Sequence, residues 1–228
     1  MTLTEFLPPI GGITALIGGG GKSTLLERLG RAYRAYGRVI LCTTTKFYPP
    51  QGIKTLLVSD EAEIAAALAD EGLLCLATRS VEGKFGPPAL PVSRLTELAD
   101  FVIVEADGAK RLPLKAHAPH EPVIPERTAR TVCVLGADGF GRPISEVCHR
   151  PERYAALCGA CPEDPVTPER AAAVLRAERY GDVFLVNKAE SPERMAAARK
   201  LAKLLDAPVW AGSLWNDGFL RLQGEEAR

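Results

Sequence analysis

Short apolar runs alternate along the chain with segments whose apolar residues recur at helical spacing. Ile13–Ile17 reads as a strand. Leu25, Leu26, Leu29, Ala32 and Tyr33 then share one face of a helix predicted over 22–36 and ended by Gly37. Further strands are predicted at Arg38–Cys42, Thr55–Val58, Leu73–Thr78, Phe101–Val104, Thr131–Leu135, Val183–Val186 and Pro208–Ala211. Helices are predicted from Asp60 to about 70, from Ser93 to near Asp100, within Pro143–Leu157, and from Thr167 and Ser191 to near Tyr180 and Leu205. Asp60, Thr167 and Ser191 supply N-caps, and Pro168 and Pro192 occupy the first helical position. Phe101–Val104 is apolar throughout, as a strand buried on both faces must be. Strand–helix alternation of this kind predicts a three-layer α/β fold with a mostly parallel, doubly wound sheet, in one domain over 1–228.

Composition narrows the partners. Lysine plus arginine (28) balances aspartate plus glutamate (28), so no electrostatic footprint for nucleic acid or an anionic membrane is present. No apolar run approaches the roughly 20 residues a bilayer requires. The first residues carry Glu5 and Pro8–Pro9 rather than a basic and apolar leader. A cytoplasmic location with reduced cysteines is expected.

The candidate chemistry starts where the first strand ends. Gly18, Gly19, Gly20 and Gly21 lead into Lys22, Ser23 and Thr24. Strand, glycine turn and helix start form the grammar of a phosphate-binding P-loop. Glycine lets backbone N–H groups close around phosphate oxygens, and the helix adds unpaired donors and the positive end of its dipole. Lys22 is the expected charge on the outer phosphates, and Ser23 an Mg²⁺ ligand. The full pattern would place a glycine at Leu16. The G-G-x-G-K-S form of metal-insertion and chromosome-partitioning ATPases is matched, except that its extra lysine falls on Ile17.

Other candidates sit at later strand ends, where parallel sheets bind ligands. Thr43 to Lys46 follows the second strand, so Thr45 and Lys46 are expected to face the nucleotide. Phe101–Val104 runs into Glu105–Ala106–Asp107–Gly108, an acid placement suited to holding Mg²⁺. Glu105 is the expected metal ligand, and Asp107 is expected to orient a water or substrate group. Lys110 opens a proline-rich loop at 109–127 that also holds Lys115, His117, His120 and Glu121. Its four prolines stiffen it, and a long stiff loop is expected to lie over the phosphate end of the site. Lys115, His117, His120 and Arg150 are candidates for a small-molecule acceptor site.

Two constellations stay open. Asn187–Lys188–Ala189–Glu190 matches either the N-K-x-D guanine-reading motif, with glutamate in the last position, or a polar strand-to-helix turn. Cys148–His149 with Cys158 and Cys161 is either a zinc-ligand set or a group of ordinary cytosolic thiols.

Taken together, G-G-G-G-K-S-T at 18–24, T-T-T-K-x-x-P at 43–49, E-A-D-G-x-K at 105–110, the P-L-K-x-x-x-P-x-E-P-V-I-P loop at 113–125, His149–Arg150 and Asn187–Lys188 resemble the YqeC family. That family is associated with selenium-dependent molybdenum hydroxylases. The resemblance implies an accessory protein acting on such an enzyme or its cofactor. The residues themselves argue ATP or GTP with Mg²⁺. Three functions fit them: a maturation NTPase, a kinase or nucleotidyltransferase acting on a cofactor precursor, and a nucleotide-gated binding module without chemistry.

Overall fold

In the computed structural model, which describes residues 1–80, 83–216 and 218–222, the chain runs α1 (Leu3–Phe6), β1 (Gly12–Gly18), α2 (Lys22–Tyr33), β2 (Val39–Thr43), β3 (Thr55–Leu56), α3 (Glu61–Glu71) and β4 (Leu73–Leu76). A small hairpin follows, β5 (Thr78–Arg79) and β6 (Phe85–Gly86), and then α4 (Val92–Leu98) and β7 (Phe101–Glu105). Next come β8 (Leu114–Lys115), β9 (Thr128–Gly136), α5 (Ile144–Val147), β10 (Cys148–His149) and α6 (Pro151–Cys158). The chain continues through α7 (Pro168–Glu178), β11 (Val183–Asn187), α8 (Pro192–Ala202), β12 (Val209–Ser213) and β13 (Gly218–Arg221). Nine strands form one sheet in the order β13-β12-β11-β9-β1-β7-β2-β4-β3. Only β13 runs antiparallel to its neighbour. Helices cover both faces, which is the three-layer arrangement expected.

The pleat explains how continuous apolar runs serve two layers. In β1, Leu16 faces a cluster with Leu25, Leu26, Leu29 and Tyr33 of α2, whereas Ala15 and Ile17 face the layer built by α5 to α8. In β7, Phe101 and Ile103 join the α2 side, while Val102 and Val104 pack with Ile64 and Leu68 of α3 and Leu95 of α4. Each fully buried leucine of α2 contributes roughly 1.5–3 kcal/mol and seats the helix start under the glycine loop. The predicted caps form: Asp60, Thr167 and Ser191 accept from the N–H groups of Glu63, Arg170 and Arg194.

Several boundaries differ from the sequence reading. α2 ends at Tyr33 rather than 36 because its phenol is tied to the carbonyls of Leu7 and Pro8, which fixes the last turn against the N-terminal segment. Pro143–Leu157 holds two helices, not one. Between them β10 pairs with β8, and Arg150 takes a left-handed backbone (φ 63°) before Pro151 starts α6. Among the described residues no helix is long and apolar enough to cross a membrane.

Candidate functional site

Parallel pairing aligns the strand ends that carry the candidates. Leu16 of β1 and Thr43 of β2 both lie opposite Glu105 of β7, and Asn187 lies opposite Gly136 and Gly212. The glycine loop is thus bordered by the ends of β7, β9 and β11.

That loop is packed as well as turned. A Cβ at Gly19 would stand 2.6 Å from the Leu112 carbonyl oxygen, and one at Gly20 (φ 76°) 2.2 Å from the Gly136 nitrogen. Gly18, Gly19 and Gly20 donate their N–H groups inward, to Asp107 Oδ2 (2.8 Å), Val134 O (2.8 Å) and Leu112 O (3.1 Å). The N–H groups of Gly21, Lys22, Ser23 and Thr24 meet no acceptor among the described residues. The donors left open are thus those of 21–24 at the start of α2, while the first three glycines let the loop seat on 112–113 and 136.

Beneath the loop lies a buried ionic network. Lys22 Nζ donates to Gly18 O at 2.6 Å and lies 3.0 Å from Asp107 Oδ1 and 3.9 Å from Glu105 Oε1. Asp107 is 0% exposed, and its Oδ2 also meets Lys115 Nζ (3.3 Å) and His117 Nε2 (2.6 Å). Burial opposes its ionisation, but Lys22, the His117 hydrogen bond and Lys115 outweigh burial and hold the carboxyl well below its ordinary range. Asp107 is thus a brace behind the loop. Its carboxylate is turned to the loop and to Lys22 and Lys115, outside the lining of the open cleft beside the loop.

His117 bridges Asp107 and Glu178, with Nδ1 2.7 Å from Glu178 Oε2 and its backbone N–H on Glu178 Oε1 at 2.6 Å. Burial pulls the imidazole pKa down, but hydrogen bonds to the two carboxylates raise it on balance. Both ring nitrogens face carboxylate oxygens, a setting that favours the charged, doubly protonated ring. Lys115, the Tyr180 ring edge and Arg153, which donates to the His117 carbonyl, complete its surroundings. A raised folded-state pKa means stabilisation that is full below the unfolded value near about 6.5 and is lost as pH rises through the folded value. Thermal melts should therefore show midpoints falling above neutrality. His117→Gln should flatten that slope, and an unchanged slope would refute the charged ring.

Glu105 differs from Asp107 in lining an open cleft. Its Oε2 accepts from the Ser23 hydroxyl at 2.8 Å. Burial raises its pKa, partly offset by Lys22 and Ser23. Hydroxyl and carboxylate both line this cleft of about 780 Å³, a donor pair that fits a hard divalent cation alongside an anionic ligand.

The cleft gathers many of the sequence candidates: Gly20, Gly21, Lys22, Ser23 and Thr24, then Lys46, Glu105, Lys110, Asn187 and Lys188. Others stand apart from its lining. Thr45 is held by Thr43, whose hydroxyl donates to Glu105 O and accepts from the Thr45 N–H. The Lys115 side chain is enclosed between Asp107 and Glu121, and His117 belongs to the buried network. Arg150 is paired with Glu121 at 2.7 Å, and His120 is on the surface. Lys115, His117 and Arg150 are therefore engaged with carboxylates of the scaffold. Glu190 lies on the exterior, 3.7 Å from Arg194. Asn187 spends both ends of its amide internally, donating to Gly20 O (2.8 Å) and accepting from the Leu214 N–H (2.9 Å). Among the described residues no set of three or more His, Cys, Asp or Glu is placed to hold a metal. Cys158 donates to the carbonyl of Tyr154, and Cys161 is exposed.

Sequence reasoning missed Glu178, whose place inside a helix looks like any solvated acid, and the cleft residues Tyr48, Lys84, Arg111 and Trp215. Trp215 carried a usable signal as an aromatic just after a strand end. Fold and loop define an α/β protein of the P-loop NTPase-like class. The family model described as YqeC protein matches residues 14–152, and the chain belongs to the YqeC family. It is 31% identical to the uncharacterized protein YqeC of Escherichia coli (strain K12) over 159 residues, 66% of this chain and 62% of that protein. The match thus spans under two thirds of the relative's length.

Proposed function

We propose that this chain binds a nucleoside triphosphate in the cleft and hydrolyses it with Mg²⁺. One observation carries the reading: the Ser23 hydroxyl and Glu105 carboxylate meet at 2.8 Å beside the acceptor-free N–H groups of Gly21 to Thr24. Ser23 and Glu105 would hold the Mg²⁺, which when bound supplies charge neutralisation at the phosphate oxygens. The free N–H groups and the α2 N-terminus bind the phosphate chain, and Lys22 turns from Gly18 O toward it. Asp107, fixed by Lys115 and His117, keeps Lys22 at the loop. Membership of the YqeC family supports the further proposal that the reaction serves maturation of a selenium-dependent molybdenum hydroxylase. Phosphate release from ATP or GTP that requires Mg²⁺ and stops with a chelator is the test; no release under either condition would remove the hydrolase reading.

A second reading, transfer to a small acceptor, is favoured by the far wall of the cleft. Lys46, Lys84, Lys110, Arg111 and His149 line it beyond the loop. Burial, with Arg150, Lys115 and Lys110 nearby, lowers the His149 pKa to about 4, so its imidazole is neutral there. An anionic acceptor would meet cations and an uncharged proton acceptor on that wall. Phosphorylated or nucleotidylated product formed in step with nucleotide consumption would favour this reading over hydrolysis.

A further inference from the structure

The cleft also bears an indole with an unusual setting. Trp215 follows β12 and is 80% exposed, the most exposed large apolar side chain among the described residues. It lines the 780 Å³ cleft and also a neighbouring one of about 560 Å³, and both share Ser23, Thr24 and Tyr48. Its position is not loose. Asn187 accepts from the Leu214 N–H and donates to Gly20 O, so one amide couples the turn before Trp215 to the glycine loop. The Trp215 backbone N–H also donates to Ser213 Oγ at 3.2 Å.

We propose that the Trp215 indole is the platform on which the nucleobase of the bound nucleotide stacks, and that the base is held by its face rather than read at its edge. The inference rests on the proposed nucleotide site. The motif residues expected to read a base edge are turned elsewhere: Glu190 is outside the lining, the Asn187 amide is used on both sides, and Lys188 pairs with Asp138 at 2.7 Å. Tyr48, the other exposed aromatic there, has Arg111 at 5.3 Å and Lys84 at 5.7 Å from its ring centre. Trp215 has no ring or cation contact among the described residues, so both indole faces are open to a planar ligand. Stacking tolerates any base, since each presents a π-face. A cleft of this volume is of a size that encloses such ligands.

The test is calorimetric titration of wild type, Trp215→Ala and Trp215→Phe with MgATP, MgGTP and Mg²⁺ plus inorganic triphosphate. Trp215→Ala should weaken both nucleotides by roughly tenfold or more and leave inorganic triphosphate unchanged. Trp215→Phe should keep most of the affinity. Wild-type affinity of Trp215→Ala for MgATP would overturn the proposal, as would an equal loss for inorganic triphosphate, which would make Trp215 a support of the loop. A wild-type preference above tenfold for one base would overturn face-only recognition. If wild type binds neither nucleotide nor inorganic triphosphate, the nucleotide site itself fails, and this inference with it.

Discussion

Asp107→Asn is expected to destabilise the fold by about 3–5 kcal/mol, the cost of removing one partner from a buried charge set. Asp107 is the shared anion of Lys22, Lys115 and His117 and also accepts from the Gly18 N–H. Asparagine keeps the shape but loses the charge and turns an N–H₂ group toward donors. Two ammonium groups and an imidazolium would then face one carboxylate fewer inside the protein. Glu121 still pairs with Lys115 and Glu178 still pairs with His117, so Lys22 is left with the 3.9 Å contact to Glu105. Urea unfolding at neutral pH measures this, and a loss below about 1 kcal/mol would mean that Asp107 is not the brace.

Glu105→Gln is expected to separate chemistry from fold. Glutamine keeps the shape of the side chain, burial already opposes the charged form of this carboxyl, and the amide oxygen can still accept from Ser23. Stability should change by less than about 1 kcal/mol. Turnover should fall at least roughly a hundredfold, because a neutral amide is a poor Mg²⁺ ligand, while metal-free nucleotide binding survives. Phosphate release and calorimetry with and without Mg²⁺ read the two effects separately. A Glu105→Gln protein that hydrolyses at the wild-type rate would remove Glu105 from the metal site.

The strands were legible because a strand buried on both faces must be apolar throughout, as Phe101–Val104 is, and the caps because Asp60, Thr167 and Ser191 act within three residues of themselves. Short elements were not. β13 has one buried residue, Phe219, between exposed ones, and β8 and β10 are two residues each. Glu105 was legible as a carboxylate ending a strong strand. Asp107, two residues on, looked equivalent to it, but β7 ends at Glu105, and Asp107 is turned under the loop by Lys115 and His117 of the proline-rich loop and by Gly18, 89 residues away in sequence. Glu190 carried the right residue class for base reading, but the first turn of α8 directs it to Arg194.

Calorimetry of wild type and Lys22→Ala with MgATP and MgGTP tests the central claim most directly. Lys115 and His117 remain on Asp107 when Lys22 is removed, so the variant should fold, which a thermal melt verifies. Wild type is expected to bind, and Lys22→Ala to bind at least roughly tenfold more weakly, as loss of a charge-assisted contact of about 1.5–3 kcal/mol requires. Equal affinity in a folded Lys22→Ala protein, or no binding by wild type, would contradict a nucleotide site at the glycine loop.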